Sequence, residues 1–166
     1  MPDIVLRSND GADHKISAST ARLSRTVASL LQDLEASKGE DAELLIVPIP
    51  NVCNCTLKKV LDFCEQQRAF DDLVRASPAA QQPEVTRKTQ AWRETYMKVS
   101  TDELYHLVMA AHYLDVPGLL GLCTDAMADH IRGKSPSQVR ACFGLKPNLS
   151  PEEEDDIRRS NLWALS

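Results

Sequence analysis

The sequence predicts a mixed α/β domain followed by a helical extension at the C-terminal end. Near the start, a turn signal inside a short alternating segment and a brief apolar run closed by prolines both indicate strands. In the second half, apolar residues recur at helical spacing behind Ser-Pro and Ser-Thr-Asp-Glu sequences, which are typical of helix starts. The 166 residues, 43% of them apolar, suffice for one hydrophobic core.

The first predicted element is a hairpin over residues 4–17. Ile4 and Leu6 share one face of a short strand, and the N-D-G sequence at residues 9–11 is a turn signal before a second short segment. Apolar residues at helical spacing over residues 19–34 then predict one or two short helices with one buried face.

A further strand and the helix after it are predicted around two prolines. Residues 44–47 form a brief apolar run, which Pro48 and Pro50 are expected to close. Asn51 is a good N-cap residue and is expected to start the next helix.

Residues 69–88 break the helical pattern. This stretch has two prolines, few large apolar residues, no sustained period and a net charge of zero, so we predict a mobile surface insertion. The predicted organisation is therefore an N-terminal part over residues 1–68, the insertion, further helices of the same domain over residues 89–132 and a helical extension over residues 133–166.

Helix starts are clear in the second half of the chain. Residues 100–103 read Ser-Thr-Asp-Glu, a capping box, and Asp115 is expected to cap the next helix ahead of Pro117. Ser135-Pro136 and Ser150-Pro151 each place a proline at the first helical position, where the missing N–H leaves no hydrogen bond unmade.

The sequence contains no recognisable catalytic motif. It lacks G-x-S-x-G, H-E-x-x-H and a Gly-rich phosphate loop, and it has only six glycines. His106 and His112 lie six residues apart on one predicted helix, which puts them on different faces. We therefore predict a protein that is not an enzyme and that uses no cofactor.

The five cysteines are predicted to be reduced thiols, because their number is odd and the core composition is ordinary. Cys53 and Cys55 lie two residues apart, a spacing that structural zinc sites rarely use, and no second Cys or His pair stands at the usual distance. We expect no metal site. A thiol or metal enzyme stays open as a third interpretation that rests on the cysteines alone.

Charge and hydropathy argue against two classes of partner. Nineteen Lys and Arg against twenty-four Asp and Glu give a net charge of −5, so the basic excess of nucleic-acid-binding proteins is absent. No apolar run approaches the roughly 18 residues that cross a bilayer, and the first residues lack a signal-peptide pattern. We expect an intracellular protein that binds neither nucleic acid nor membrane.

The C-terminal helices have many large apolar residues for a small helical extension. Trp163 lies near the end of the chain, where segments usually fray, and Trp is enriched in interface hot spots. Two interpretations of Trp163 stay open: its side chain docks on the preceding helices of the same chain, or it contacts a partner protein. The same two alternatives apply to the apolar positions of the preceding helices: Leu120, Met127, Ile131, Val139, Phe143 and Leu145.

Five ordered blocks run from the start of the chain to its end. They read M-P-x-I-x-L-x-S-x-D-G, V-P-I-P-N-V with L-K-K-V, A-A-H-Y-L-D-V-P-G-L-L, I-R-G-K-S-P, and P-E-E-E followed by R-R-S-N-L-W. Together they resemble the S-phase-kinase-associated adaptor family of SCF-type (cullin-RING) ubiquitin ligases. The resemblance implies an α/β domain of the BTB/POZ type with a two-helix extension, acting as a non-catalytic adaptor in cytoplasm and nucleus.

The resemblance also implies two binding surfaces, one for the F-box of a substrate receptor and one for a cullin. The F-box surface is expected to comprise Leu120, Met127, Ile131, Val139, Phe143, Leu145, Ile157, Asn161 and Trp163. The cullin surface is expected to comprise His112 and Tyr113, where the family resembles A-N-Y-L-D, with Pro48 and Asn51 as weaker candidates.

Two departures and one modification candidate accompany the resemblance. His112 replaces the family Asn, and the neutral insertion replaces a usually acidic one, so a diverged, cullin-independent scaffold that binds F-box-like proteins is the alternative function.

Pro151 matches a position that resembles a prolyl hydroxylation substrate in some unicellular members, with a plain helix-starting proline as the alternative. The free protein is expected to be prone to self-association, with a homodimer as the candidate species.

Overall fold

The computed structural model describes residues 3–37, 44–79, 81–146 and 149–164 of the chain. The chain forms two compact units, Met1–His130 and Ile131–Ser166. The first unit holds the sheet and most of the helices, and the second holds the C-terminal helices.

The sheet of the first unit has three strands. β1 (Asp3–Ser8) pairs antiparallel with β2 (Asp13–Ile16) and parallel with β3 (Leu44–Ile49), in the order β2-β1-β3. The predicted hairpin is therefore confirmed. Gly11 has a φ of 82° in its turn, a backbone conformation that glycine adopts without steric cost.

Helices follow and surround this sheet. The first unit contains α1 (Ala18–Ala21), α2 (Arg25–Ser37), α3 (Asn54–Ala76), α4 (Gln82–Tyr96), α5 (Thr101–Tyr113) and α6 (Pro117–Ile131), whose last residue opens the second unit. The second unit contains α7 (Pro136–Cys142), α8 (Pro151–Ser160) and a short 3-10 helix (Leu162–Ala164). Among the described helices, none is both long and apolar enough to cross a membrane.

The core of the first unit is built from one face of the sheet and from α2, α3, α5 and α6. Alternate residues of the strands point into it, and the helices contribute residues at helical spacing. The large side chains that are completely enclosed include Leu6, Val27, Val47, Ile49, Leu57, Val60, Phe63, Leu107, Leu114 and Leu119.

Two expectations near β3 are wrong. Pro48 does not end β3, which continues to Ile49 and stops directly before Pro50, as expected of that second proline. Pro48 is tolerated because β3 is an edge strand, where a proline removes no needed ladder bond. Asn51 does not cap α3, since the helix begins at Asn54 with Cys53 in the N-cap position, where its side chain makes no capping bond. The carboxylate of Asp10 takes that role from the hairpin turn, because the backbone N–H of Asn54 donates to both of its oxygens at 3.2 Å.

The expectation that residues 69–88 form a loop outside the helical pattern is also wrong. α3 continues to Ala76 and α4 begins at Gln82, so most of this stretch is helical. Trp92 of α4 packs against Phe63 and Phe70 of α3, with ring centroids 5.9 and 5.7 Å apart. Packing between two helices stabilises a segment whose own apolar pattern is too weak to indicate a helix.

Asp115 does not start α6 as expected, because it ends α5. Its φ is 44°, its N–H donates to the carbonyl of His112 (3.1 Å), and the N–H of Val116 donates to that of Ala111 (2.9 Å). These two bonds form a Schellman motif, the usual way to satisfy the last carbonyls of a helix. Val116 accepts the first backbone bond of α6, from Leu120 (2.9 Å).

The start of α2 satisfies the remaining carbonyls at the end of α5. Three successive carbonyls accept hydrogen bonds there: that of Tyr113 from Thr26 Oγ1 (3.1 Å), that of Leu114 from Ser24 Oγ, and that of Asp115 from the Arg25 N–H (3.0 Å). Ser24 Oγ also accepts from the N–H of Val27 (3.1 Å), so one buried hydroxyl caps α2 and binds α5.

Replacing Ser24 tests this junction. Ser24→Ala removes a helix cap and leaves the buried carbonyl of Leu114 without its donor, so we expect the free energy of unfolding to fall by about 1–3 kcal/mol. Ser100→Ala is the matched control, since it removes an exposed capping box and no bond to another helix. Urea unfolding measures the free energy of unfolding of both variants. An equal decrease in the two would contradict a special stabilising role for the contact between Ser24 and α5.

Acid unfolding tests the anchor between the hairpin turn and α3. Hydrogen bonds from Ser8 Oγ and from the Asn54 backbone N–H hold the pKa of Asp10 below its ordinary value of 3.8. The stabilisation is therefore present above that value and is lost as the pH falls through the lowered pKa. Asp10→Asn should be less stable than wild type near neutral pH, and the difference should vanish in acid, with Asp125→Asn as the surface-charge control.

Candidate protein-binding surfaces

The predicted cullin residues all lie on the first unit, two of them on α5 and two on or just after β3. His112 is exposed and Tyr113 half-buried in the last turn of α5, where the tyrosine packs against the core. Pro48 is exposed on β3 opposite Arg7 of β1, and Asn51 is exposed in the turn after β3. The structure brings His112 and Tyr113 together as neighbours, whereas Pro48 and Asn51 lie at the end of the sheet's edge strand.

The α2–α5 junction holds the last turn of α5 in place. The carbonyl of Tyr113 accepts from Thr26, and that of His112 accepts from Asp115 within the Schellman motif. Because the backbone on both sides is hydrogen-bonded, the exposed His112 side chain projects from a rigid turn. A preorganised surface of this kind loses little conformational entropy on binding.

The predicted F-box residues are divided between the two units. Leu120 and Met127 lie on α6, half-buried, and both pack against the core of the first unit. Leu119 and Cys123 on the same helix are completely buried. Core packing thus accounts for part of the apolar surface of Leu120 and Met127, and the remaining part is open to solvent.

The other predicted F-box residues belong to the second unit. Ile131, Val139 and Phe143 are half-buried, and Leu145, Ile157, Asn161 and Trp163 are exposed. Trp163 has 77% of its surface exposed, and no described residue of α7 or α8 is buried. The second unit therefore presents large apolar side chains to solvent, which is typical of a surface that a protein partner covers.

Local hydrogen bonds explain why these short helices form. Ser135 with Gln138, and Ser150 with Glu153, make complete capping boxes at the starts of α7 and α8. Arg140 of α7 joins Glu154 of α8 through an ion pair of 2.6 Å between Nη1 and Oε1. Charge-assisted bonds and caps thus stabilise α7 and α8, in which no described residue is buried.

Asn161 and Pro151 have structural roles of their own. The side-chain amide of Asn161 donates to the carbonyl of Ile157 (2.8 Å), so it satisfies the end of α8. Pro151 is exposed in the first turn of α8 behind Ser150, a position that suits a helix-starting proline. Contact of Asn161 with an F-box and hydroxylation of Pro151 stay predictions.

Among the described residues, six large exposed apolar side chains lie outside the predicted surfaces: Leu30, Ile46, Leu73, Tyr105, Met109 and Leu162. Leu162 precedes Trp163 and is 61% exposed, and Tyr105 and Met109 stand one turn apart on the open face of α5. Tyr105 and Met109 could have been found from the sequence, because they lie four residues apart on the face of α5 that the buried residues do not occupy.

The described residues hold no cluster of three or more His, Cys, Asp or Glu side chains that could bind a metal ion. Burial raises the pKa of the Cys64 thiol to about 12 and that of the Cys123 thiol to about 11, so both stay protonated at neutral pH. Neither buried thiol is therefore suited to act as a nucleophile.

The small mixed sheet with its packed helices, followed by a helical unit with uncovered apolar side chains, is a POZ-type α/β domain with a C-terminal helical extension. Residues 2–69 match the family model described as "Skp1 family, tetramerisation domain", and residues 117–164 match "Skp1 family, dimerisation domain". The chain therefore belongs to the Skp1 family.

Curated relatives match the chain over nearly its whole length. It is 35% identical to "E3 ubiquitin ligase complex SCF subunit sconC" of Aspergillus terreus over 163 residues, 98% of this chain and 96% of that protein. It is also 35% identical to "SKP1-like protein 1A" of Arabidopsis thaliana over 162 residues, 97% of this chain and 96% of that protein. Neosartorya fischeri has a sconC subunit that is 34% identical over 164 residues, 99% of each chain.

Breaking the ion pair between α7 and α8 tests how the second unit is held together. Arg140→Gln removes a short, half-buried pair, so we expect amide hydrogen exchange in α8 to rise about fivefold, which corresponds to about 1 kcal/mol. Arg159→Gln is the matched control, because its pair with Asp156 is 3.6 Å long and exposed. Unchanged exchange in Arg140→Gln would show that the caps alone stabilise α8.

Proposed function

We propose that this protein is a non-catalytic adaptor of an SCF-type ubiquitin ligase, in which it links F-box substrate receptors to a cullin scaffold for ubiquitin-dependent degradation. The observation that carries the proposal is the second unit, which has exposed apolar side chains and no buried residue among the described positions of α7 and α8. Relatives named as SCF subunits align over almost the entire chain, this unit included.

The receptor side would bind by covering apolar side chains. Trp163 and its neighbour Leu162 offer the largest exposed apolar surface near the C-terminal end, and Ile157 adds to it from α8. An amphipathic F-box helix that packs on these residues would remove them from water, which is the main source of binding energy in such a groove. Trp163 is the expected anchor, because buried Trp residues dominate interface energetics.

The cullin side would use the rigid last turn of α5. His112 projects into solvent there, and Tyr113 contributes its accessible edge beside it. A neutral imidazole offers one donor and one acceptor, as an amide does, so His112 can replace the hydrogen bonds of the family Asn as long as it is unprotonated. Pro48 and Asn51 are the weaker candidates for the same partner.

The adaptor would contribute position rather than chemistry. Its first unit is a well-packed core, and its candidate binding residues lie on the surface of that core and on the second unit. An adaptor of this kind would set the distance between receptor and scaffold, so it would promote ubiquitin transfer by holding the reacting proteins close together. Action in cytoplasm and nucleus, self-association of the free protein through its exposed apolar residues and hydroxylation of Pro151 belong to the same proposal.

A cullin-independent scaffold for F-box-like proteins is the second candidate. The observation that favours it is His112, which is exposed at the position where the family Asn is expected. Protonation turns the imidazole into a donor at both nitrogens, and it then has no acceptor to offer a partner.

Affinity capture from the source cells, with bound proteins measured by mass spectrometry, tests the proposal. Wild type should carry both a cullin and F-box proteins. With Trp163→Ala, the recovery of F-box proteins should fall about thirtyfold, the effect of a hot spot worth about 2 kcal/mol, and the recovery of the cullin should stay unchanged. His112→Asp and Tyr113→Ala should lose the cullin and keep F-box proteins.

Matched controls separate binding from folding. Tyr105→Ala removes an exposed tyrosine from the same helix as Tyr113 and should leave cullin recovery unchanged. Melting temperatures of all variants should stay close to wild type, except for Tyr113→Ala, whose side chain packs on the core. F-box proteins without a cullin in the wild-type sample would favour the cullin-independent scaffold, and capture of neither would reject both.

A further inference from the structure

The five cysteines fall into three environments. Cys64 and Cys123 are buried in the core of the first unit, and Cys142 lies half-buried in α7 of the second unit. Cys53 and Cys55 stand together at the start of α3, half-buried and exposed respectively. Only this last pair combines two thiols, access to solvent and close approach among the described residues.

The distance between the two thiols is short. Their sulfur atoms lie 3.0 Å apart, with one thiol donating a hydrogen bond to the other, and Cys53 Sγ lies 3.1 Å from Thr56 Oγ1. Both cysteines belong to the same turn, in which Cys53 has an extended backbone in the N-cap position and Cys55 is already helical. The local fold therefore places the two sulfur atoms side by side without any movement of another element.

The start of α3 also favours a negative charge on Cys53. The carbonyl of Cys53 accepts the first backbone bond of a 23-residue helix, so its thiol lies at the positive end of the helix dipole. Hydrogen bonds with the Cys55 thiol and then with the Thr56 hydroxyl lower the pKa of the Cys53 thiol. The position at the helix start and these hydrogen bonds thus both favour the thiolate form of Cys53, which is the form that attacks a disulfide.

The residue between the cysteines is fixed to the hairpin turn. The N–H of Asn54 donates to both oxygens of Asp10, and its side-chain oxygen lies 2.8 Å from His14 Nε2. Asn9 adds a backbone bond to the carbonyl of Val52 (3.0 Å). Because these bonds hold the turn in place, the two thiols are kept close to each other in the folded protein.

We propose that Cys53 and Cys55 are a reversible oxidation site, which closes to an intramolecular disulfide by exchange with a low-molecular-weight disulfide of the glutathione type. The site is independent of the adaptor role, since it needs neither a cullin nor an F-box protein. It lies two residues after Asn51, next to the edge of the candidate cullin surface.

The exchange balances in two steps. The Cys53 thiolate, its proton given to solvent, attacks one sulfur of the small disulfide, and one small thiol leaves with the electron pair of the broken S–S bond and takes up a proton. The Cys55 thiolate then attacks the Cys53 sulfur, forms the Cys53–Cys55 bond and releases the second small thiol. The two cysteines are oxidised by two electrons, and the small disulfide is reduced to two thiols.

The test oxidises the folded full-length protein and counts its thiols. The starting point is Cys142→Ser, which removes the half-buried cysteine outside the pair and leaves four thiols of the original five. After treatment with glutathione disulfide, acid quenching and unfolding, maleimide labelling should find two thiols and no retained glutathione. Trypsin cleavage should place the disulfide within the peptide of residues 39–58, which holds Cys53 and Cys55 and no other cysteine.

A second variant shows whether the pair acts as a unit. Adding Cys55→Ser removes the resolving thiol, so the protein should keep one glutathione on Cys53, and dithiothreitol should remove it. Melting curves confirm that each variant is folded before oxidation. The proposal is overturned if the starting protein keeps four thiols, if it retains a glutathione adduct on Cys53 as Cys55→Ser does, or if the disulfide maps to another pair.

Discussion

The contact between the end of α5 and the start of α2 is the interaction on which the first unit depends. Carbonyls at a helix end need donors, and here the hydroxyls of Ser24 and Thr26 and the Arg25 N–H supply them. The negative end of one helix dipole meets the positive end of the other, so the electrostatics favour the same arrangement. The last turn of α5, with its candidate cullin residues, is rigid as a result.

The two units are stabilised by different physical means. The first has a core of closely packed aliphatic side chains under a small sheet, and burial of that apolar surface drives its folding. In the second, capping boxes and the ion pair between Arg140 and Glu154 stabilise α7 and α8, and several large apolar side chains, Trp163 among them, stay exposed. This division suits an adaptor, because surface that is left out of the core is available to a partner.

The start of α3 connects the fold to its chemistry. Cys53 occupies a position where a capping side chain is usual, and Asp10 from the hairpin turn compensates for the missing bond. The thiol is thereby left to interact with Cys55 rather than with the helix backbone. The start of α3 therefore combines a cap supplied from the hairpin turn with two neighbouring thiols, one half-buried and one exposed.

Local sequence patterns suffice to predict the hairpin, the capped starts of α5, α7 and α8, and the family, because turn residues, capping boxes and ordered motifs act over a few neighbouring residues. Packing between helices, by contrast, makes residues 69–88 mostly helical, since Trp92 stabilises them through contacts with Phe63 and Phe70. The tertiary structure also decided that Asp115 ends α5 and that Asp10 replaces Asn51 at α3. The bond from Asn54 to Asp10 joins residues 44 positions apart, and the carbonyl of Asp115 accepts from the N–H of Arg25, so neither arrangement can be read from local pattern alone.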